Sequence, residues 1–227
     1  MIQEKIREVL EKVEKAALRS GRKPSEVTLV LVTKNVPPLR IREAFEAGAR
    51  EFGENRLQEL LQKKPELDPA IRWHFVGRLQ TNKVKSLVGE VGLLHSLDRL
   101  ELLEEIQKQA EKKDLKMDSL IQINTTGEAT KAGFAPEKTE AAVEAIRRFP
   151  RIQLRGLMTI GPLQGDEGSI RKSFARLREL RDGLHRQFPD AGIRELSMGM
   201  SSDFEWAVEE GATLVRIGTA VFGERKP

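Results

Sequence analysis

The sequence predicts an α/β fold, a single (β/α)8 TIM-type barrel carrying one extra helix ahead of the first strand. Three observations carry that expectation. Short runs of Val, Leu and Ile alternate with segments of helical periodicity, giving eight strands, each but the last followed by a helix, at intervals of roughly 20 to 40 residues. The clearest run, Val27-Thr28-Leu29-Val30-Leu31-Val32-Thr33, is built of Val, Leu and Thr with no break for a turn, the habit of a parallel strand covered on both faces. No Gly-x-Gly-x-x-Gly follows it, which disfavours an open doubly wound sheet and favours closure.

Taken in order, residues 2–20 place Ile2, Ile6, Val9, Leu10, Val13 and Ala17 at helical spacing, with Gly21 as a C-terminal cap before Pro24. Strand one ends at Lys34, and a helix over 39–48 stops at Gly48. A short strand, 49–53, runs into Glu54-Asn55 and a helix over 56–64. Pro65 and Pro69 mark a loop before the third strand, 71–76. The periodicity then predicts a helix over 79–88 and a strand near 91–95. A helix over 98–112 follows, with Leu100, Leu103, Ile106 and Ala110 on one face and Asp98 as N-cap. Strand five is 119–124; the next helix, 136–149, lies between Pro136 and Pro150. Strand six, 152–160, precedes a long helix over 167–188 with Ile170, Phe174, Leu177, Leu180 and Leu184 in register. Strand seven near 193–198, a short helix over 203–210 and strand eight over 213–217 complete the series. With no linker or low-complexity segment, residues 1–227 are expected to form one domain.

Composition narrows the function classes. There is no Cys, so disulfides, thiolate metal sites and cysteine nucleophiles are excluded together. The amino-terminal residues lack an apolar core and no apolar run reaches membrane-spanning length, which predicts a cytoplasmic protein without a membrane segment. The 39 basic and 35 acidic residues are interspersed, the pattern of a solvated surface rather than a nucleic-acid face. His74, His95 and His185 have no metal-ligand spacing, and His74 reads as a hydrogen-bonded barrel histidine. Asp203 and Glu205 read as first-turn acids of a helix.

The chemistry-bearing residues gather at the carboxyl ends of strands one, seven and eight. Lys34 brings an amine to the end of strand one. In a closed barrel strand eight lies beside it and brings Arg216, Gly218 and Thr219. Loops after strands seven and eight are where such barrels commonly bind phosphate. The loop after strand seven, Ser197 to Asp203, offers Ser201 and Ser202 at a helix start. An amine, an anion cradle and a guanidinium together suit a flat ring bearing an aldehyde and a phosphate, namely pyridoxal 5′-phosphate.

At this point the sequence resembles the pyridoxal phosphate homeostasis proteins, single-barrel relatives of the alanine racemase N-terminal domain. The matching stretches are Val32-Thr33-Lys34, Phe52-Gly53-Glu54-Asn55 with Gln58-Glu59, Trp73-His74-Phe75-Val76-Gly77 with Leu79-Gln80 and Asn82-Lys83, Ile121 to Asn124, Arg155 to Met158, Leu196 to Ser201, and Val215 to Thr219. By that resemblance Lys34 is the Schiff-base lysine, Arg216 the partner of the pyridine nitrogen, and Ser201, Gly218 and Thr219 phosphate ligands, with Met200 and Asn55 lining the pocket. Thr33 stands where the family often has Ser, and Arg56 where many members have Tyr.

Binding does not imply turnover. A two-base racemase of the alanine racemase type serves the second face of the substrate with a Tyr, and this chain has no Tyr. A protonated guanidinium leaves the ring nitrogen as an acceptor and weakens the ring as an electron sink. The expectation is a monomeric carrier that buffers pyridoxal phosphate and passes it to dependent apo-enzymes, with an indirect effect on amino-acid and keto-acid balance and no catalytic residue. Two alternatives stay open from the residues: a small racemase or decarboxylase with Lys34 as sole base, and a cofactor-free Schiff-base aldolase.

Overall fold

The computed structural model describes residues 1–162 and 164–224. Helix α1 (Ile2–Arg19) precedes β1 (Thr28–Val32), α2 (Pro38–Glu46), β2 (Glu51–Glu54), α3 (Leu57–Lys63) and β3 (Arg72–Phe75). Then come α4 (Val84–Leu87), β4 (Leu93–Leu97), α5 (Leu100–Lys112), β5 (Met117–Gln122), α6 (Thr139–Ile146) and β6 (Ile152–Met158). The chain closes with α7 (Glu167–Gln187), β7 (Glu195–Ser197), α8 (Phe204–Glu209), β8 (Leu214–Ile217) and α9 (Thr219–Phe222). The eight strands form a closed parallel barrel in sequence order, as the alternation of patterns predicts. No helix among the described residues is long and apolar enough to cross a membrane.

The seam of the barrel is asymmetric. Strand β8 pairs along its whole length with β1, from Thr28↔Leu214 to Leu31↔Ile217, and with β7 only at Ser197↔Leu214. On the outside, α1 packs against α2, α8 and α9, and Arg22 Nη1 donates to Val208 O and Ala212 O, both at 2.9 Å. Strand alternation divides the core in two. A large apolar layer lies between strands and helices, while Val30, Leu120, Met158 and Leu214 form a small cluster inside the barrel.

Several elements depart from the sequence expectation. The predicted helix over 79–88 shrinks to a 3₁₀ turn, Thr81–Lys83, and α4, stopped by Gly89 at φ +90°. Strand β4 starts two residues later than predicted, because Val91 and Gly92 only lead in, Gly92 donating to Trp73 O; His95 is therefore inside the strand, not at its end. Asp98 does not cap α5; its carboxylate accepts from Arg78 and Arg99. Leu10 and Leu100 fall off the buried helix faces, at 46% and 49% exposure. A ninth helix, α9, follows β8 where none was expected.

Candidate functional site

A cavity of about 660 Å³ opens at the carboxyl end of the barrel. Its apolar walls are Val32, Val76, Ile160 and Met200; its polar side is Ser201, Ser202, Arg216 and the Gly218-Thr219-Ala220 segment. Five of the seven expected site residues, Met200, Ser201, Arg216, Gly218 and Thr219, are thus brought together. Ser201 Oγ accepts from the Gly218 and Ala220 N–H groups at 3.3 Å each, so it faces the start of α9 and is not a cap of α8. Gly199 lets the loop fold this tightly: its φ is +89° and an added Cβ would lie 2.5 Å from Ala207 Cβ. Its carbonyl accepts the Arg216 backbone N–H at 3.0 Å.

Asp203, expected as a helix-stabilising acid, is instead buried and accepts the Met200 N–H at 2.6 Å. Burial pushes its carboxyl up, against the Met200 bond and the charge of Arg216. Glu205 does lie in the first turn of α8 and pairs with Arg19 at 3.3 Å.

Arg216 is 5% exposed, deeper than a residue of the barrel mouth. Nη1 donates to Ser197 Oγ at 2.6 Å and Nη2 to the Thr159 carbonyl at 2.9 Å. Both partners are neutral, and no carboxylate pairs with Arg216 among the described residues. Burial pushes the guanidinium down to about 10, opposed by the field of Asp203, so it stays cationic at neutral pH. Two of its five N–H groups are used by these bonds, which leaves donors on the cavity wall.

Lys34 is half-buried, two residues beyond the wall residue Val32. Its turn is clamped on both sides. Thr33 Oγ1 donates to Glu54 Oε1 at 2.6 Å, and Lys63 Nζ donates to Thr33 O, Glu54 Oε1 and Glu59 Oε2 at 2.9, 2.7 and 2.8 Å. The Asn35 N–H donates to Glu59 Oε2 at 2.9 Å, with Asn35 left-handed at φ +54°. Burial pushes the Glu54 carboxyl up, with Lys63 and Thr33 opposing; at Glu59 burial is outweighed by Lys63 and the Asn35 N–H, and the carboxyl falls. Sequence reading missed Lys63. Its only signal is the i,i+4 spacing from Glu59.

Asn55 does not line the Arg216 cavity. It lines a neighbouring groove of about 850 Å³ with Arg56, Arg78, Lys83 and Arg99, and its Oδ1 is buried without a partner. The missing Cβ of Gly77 lets the chain after β3 pass over Asn55, whose carbonyl oxygen would be 2.1 Å from such an atom. His74 and His95 bond to one another at 2.8 Å inside the barrel, His185 is exposed on α7, and no cluster of three metal-ligating side chains occurs among the described residues.

The donor set fits pyridoxal phosphate. Hydroxyls and N–H groups at the start of α9 suit a phosphate, Val32, Val76, Ile160 and Met200 suit the faces of a ring, and Arg216 supplies a charged donor to a ring acceptor.

Residues 8–226 match the family model of the alanine racemase N-terminal domain. The chain is 49% identical to the pyridoxal phosphate homeostasis protein of Aquifex aeolicus, over 98% of each chain. It is 43% identical to the protein of that name from Pseudomonas aeruginosa, over 99% of this chain and 96% of the relative. PipY of Synechococcus elongatus, solved with pyridoxal phosphate bound, superposes with a TM-score of 0.86 at 38% identity, covering 98% of this chain and all of that one. With the closed barrel, the cavity at its carboxyl end and these near full-length likenesses in place, the chain belongs to the pyridoxal phosphate homeostasis protein family, within the broader alanine racemase N-terminal-domain family.

Proposed function

We propose that this protein binds pyridoxal 5′-phosphate in the cavity between β1, β7 and β8 and holds it for release rather than for turnover. The observation that carries the reading is the buried, cationic Arg216 on the wall of a cavity that it shares with Ser201 and the Gly218–Ala220 segment. The pyridoxal phosphate bound by PipY, a 38% identical relative, supports it.

Pyridoxal phosphate supplies an aldehyde that condenses with an amine with loss of water, a phosphate dianion, and a pyridine nitrogen that accepts a hydrogen bond. Lys34 is the amine in this reading, presented by a turn that Lys63, Glu54 and Glu59 keep rigid. Ser201, Gly218 and Thr219 bind the phosphate, Met200 packs on the ring, Asn55 borders the site from the adjoining groove, and Arg216 faces the ring nitrogen. Because Arg216 keeps its proton at neutral pH, it donates to that nitrogen and does not protonate it, which disfavours carbanion chemistry. The chain also has no Tyr to serve as a second base. The carrier reading includes a cytoplasmic monomer that delivers the cofactor to dependent apo-enzymes.

The test is an absorption spectrum of the purified protein before and after borohydride, with peptide mass mapping. A reduced pyridoxyl group on the Lys34 peptide is expected. A colourless protein that takes up no added pyridoxal phosphate would overturn the reading. Turnover of any amino acid well above free cofactor, abolished in Lys34→Ala, would replace the carrier with an enzyme.

A further inference from the structure

Behind Arg216 a file of polar side chains crosses the barrel interior. Ser197 Oγ, the acceptor of Arg216 Nη1, lies 2.8 Å from His95 Nδ1; His95 Nε2 lies 2.8 Å from His74 Nδ1; His74 Nε2 lies 2.9 Å from Glu51 Oε2. Glu51 Oε1 is held by Arg72 Nη1 at 2.8 Å, and Arg72 is exposed at the other end of the barrel. Five strands contribute one residue each: β8, β7, β4, β3 and β2.

One placement of protons satisfies every link. Glu51, paired with Arg72, is a carboxylate and can only accept, so His74 donates from Nε2. Neutral His74 then accepts at Nδ1 from His95 Nε2–H, and neutral His95 accepts at Nδ1 from the Ser197 hydroxyl. That orientation leaves the Ser197 lone pairs turned to Arg216. The reverse order requires an imidazolium at His74 and makes the Ser197 oxygen accept from both His95 and Arg216, which leaves its hydrogen without an acceptor among the described residues. Burial, with the charge of Arg216 acting the same way, holds His95 well below the ordinary histidine range, in agreement with a neutral ring.

We propose that Ser197 and His95 are positioning residues for Arg216, and that the one-way chain Arg216→Ser197→His95→His74→Glu51 fixes the guanidinium with its remaining donors toward the cofactor cavity. This rests on the proposed function only for the ligand that Arg216 meets. The geometry itself belongs to the ligand-free protein. A chain serving only to satisfy buried polar groups would leave the guanidinium free to rotate and cofactor affinity indifferent to it.

The experiment uses the full chain with ¹⁵N-labelled His and Arg. With three histidines in the sequence, long-range proton-nitrogen spectra resolve each ring. Neutral Nε2–H tautomers are expected at His74 and His95, and restricted rotation of the Arg216 guanidinium. An Nδ1–H tautomer or an imidazolium at His95 overturns the proposal. In His95→Leu the guanidinium resonances average and the Kd for pyridoxal phosphate rises about tenfold. His95→Asn, which keeps an acceptor toward Ser197, recovers most of both. Unchanged guanidinium rotation in His95→Leu, or equal loss in the Leu and Asn variants, also overturns it. If His95→Leu does not fold, Ser197→Ala is read in the same way. A parent protein that binds no pyridoxal phosphate would remove the cofactor reading, while the tautomer and rotation readouts still decide the chain.

Discussion

Replacing Lys63 by Met tests whether the clamp behind Lys34 is held by charge. Lys63 is 8% exposed and donates to a backbone carbonyl and two carboxylates, one of them the fully buried Glu54. Removing one partner of a buried ion pair leaves an uncompensated charge and costs about 3–5 kcal/mol. For a chain of this length that lowers the melting midpoint by roughly 6–20 °C. The pH dependence has a definite sign. Glu54 already has a folded-state pKa above its unfolded value, and losing Lys63 raises it further. The folded state then binds more protons than the unfolded state between those values, so stability falls as pH rises through the window. The deficit of Lys63→Met is therefore largest at neutral pH and narrows toward the ordinary carboxylate value of 4.5. Urea unfolding at neutral and mildly acidic pH measures this directly. Adding Glu54→Gln to Lys63→Met removes the stranded charge and is expected to recover a large part of the loss. A cost below about 1 kcal/mol, or a double variant no more stable than the single one, would refute the charge argument.

Arg216→Ala is expected to weaken pyridoxal phosphate binding about 10- to 100-fold, from the loss of charge-assisted hydrogen bonds; titration reads the affinity, and an unchanged helical circular dichroism spectrum shows the barrel intact. Ser201→Ala should cost about tenfold in affinity for pyridoxal phosphate and little for pyridoxal, so the ratio of the two separates a phosphate contact from a packing effect. Gly199→Ala combines a left-handed backbone with a 2.5 Å clash on Ala207 and is expected to destabilise by about 2–4 kcal/mol in thermal unfolding.

The eight units and the meeting of strands one and eight were legible because parallel strands and their helices leave distinct hydrophobic periods. Lys34, Arg216 and the loop from Ser197 to Asp203 followed from topology, since a closed barrel places those strand ends together. What escaped reading depends on side-chain direction. Lys63 reads as one more surface lysine on a charged helix, and only the structure turns it under Thr33. His95 falls at the end of the expected strand and in the middle of the observed one, and that placement decides which partners its side chain can reach. Asp98 and Asp203 sit where helix caps belong, yet both are buried and their carboxylates are claimed by Arg78 and Arg99 in the one case and by the Met200 N–H in the other.

The β1–β8 seam has a consequence for the order of synthesis. Strand β8 is in register along its length with a strand made almost at the start of the chain, and with its immediate predecessor at one residue pair flanked by a few loop hydrogen bonds. The cavity draws Val32 from one side of that seam and Arg216 to Ala220 from the other. A nascent chain therefore carries Lys34 long before the cavity that Arg216 to Ala220 complete exists. The loop joining the two strands must close late, against the entropy of nearly the whole polypeptide. On the proposed reading ligand capture is in this way reserved for finished chains, and a ribosome-stalled fragment ending before Leu214 would present Lys34 without the Arg216 to Ala220 side of the pocket.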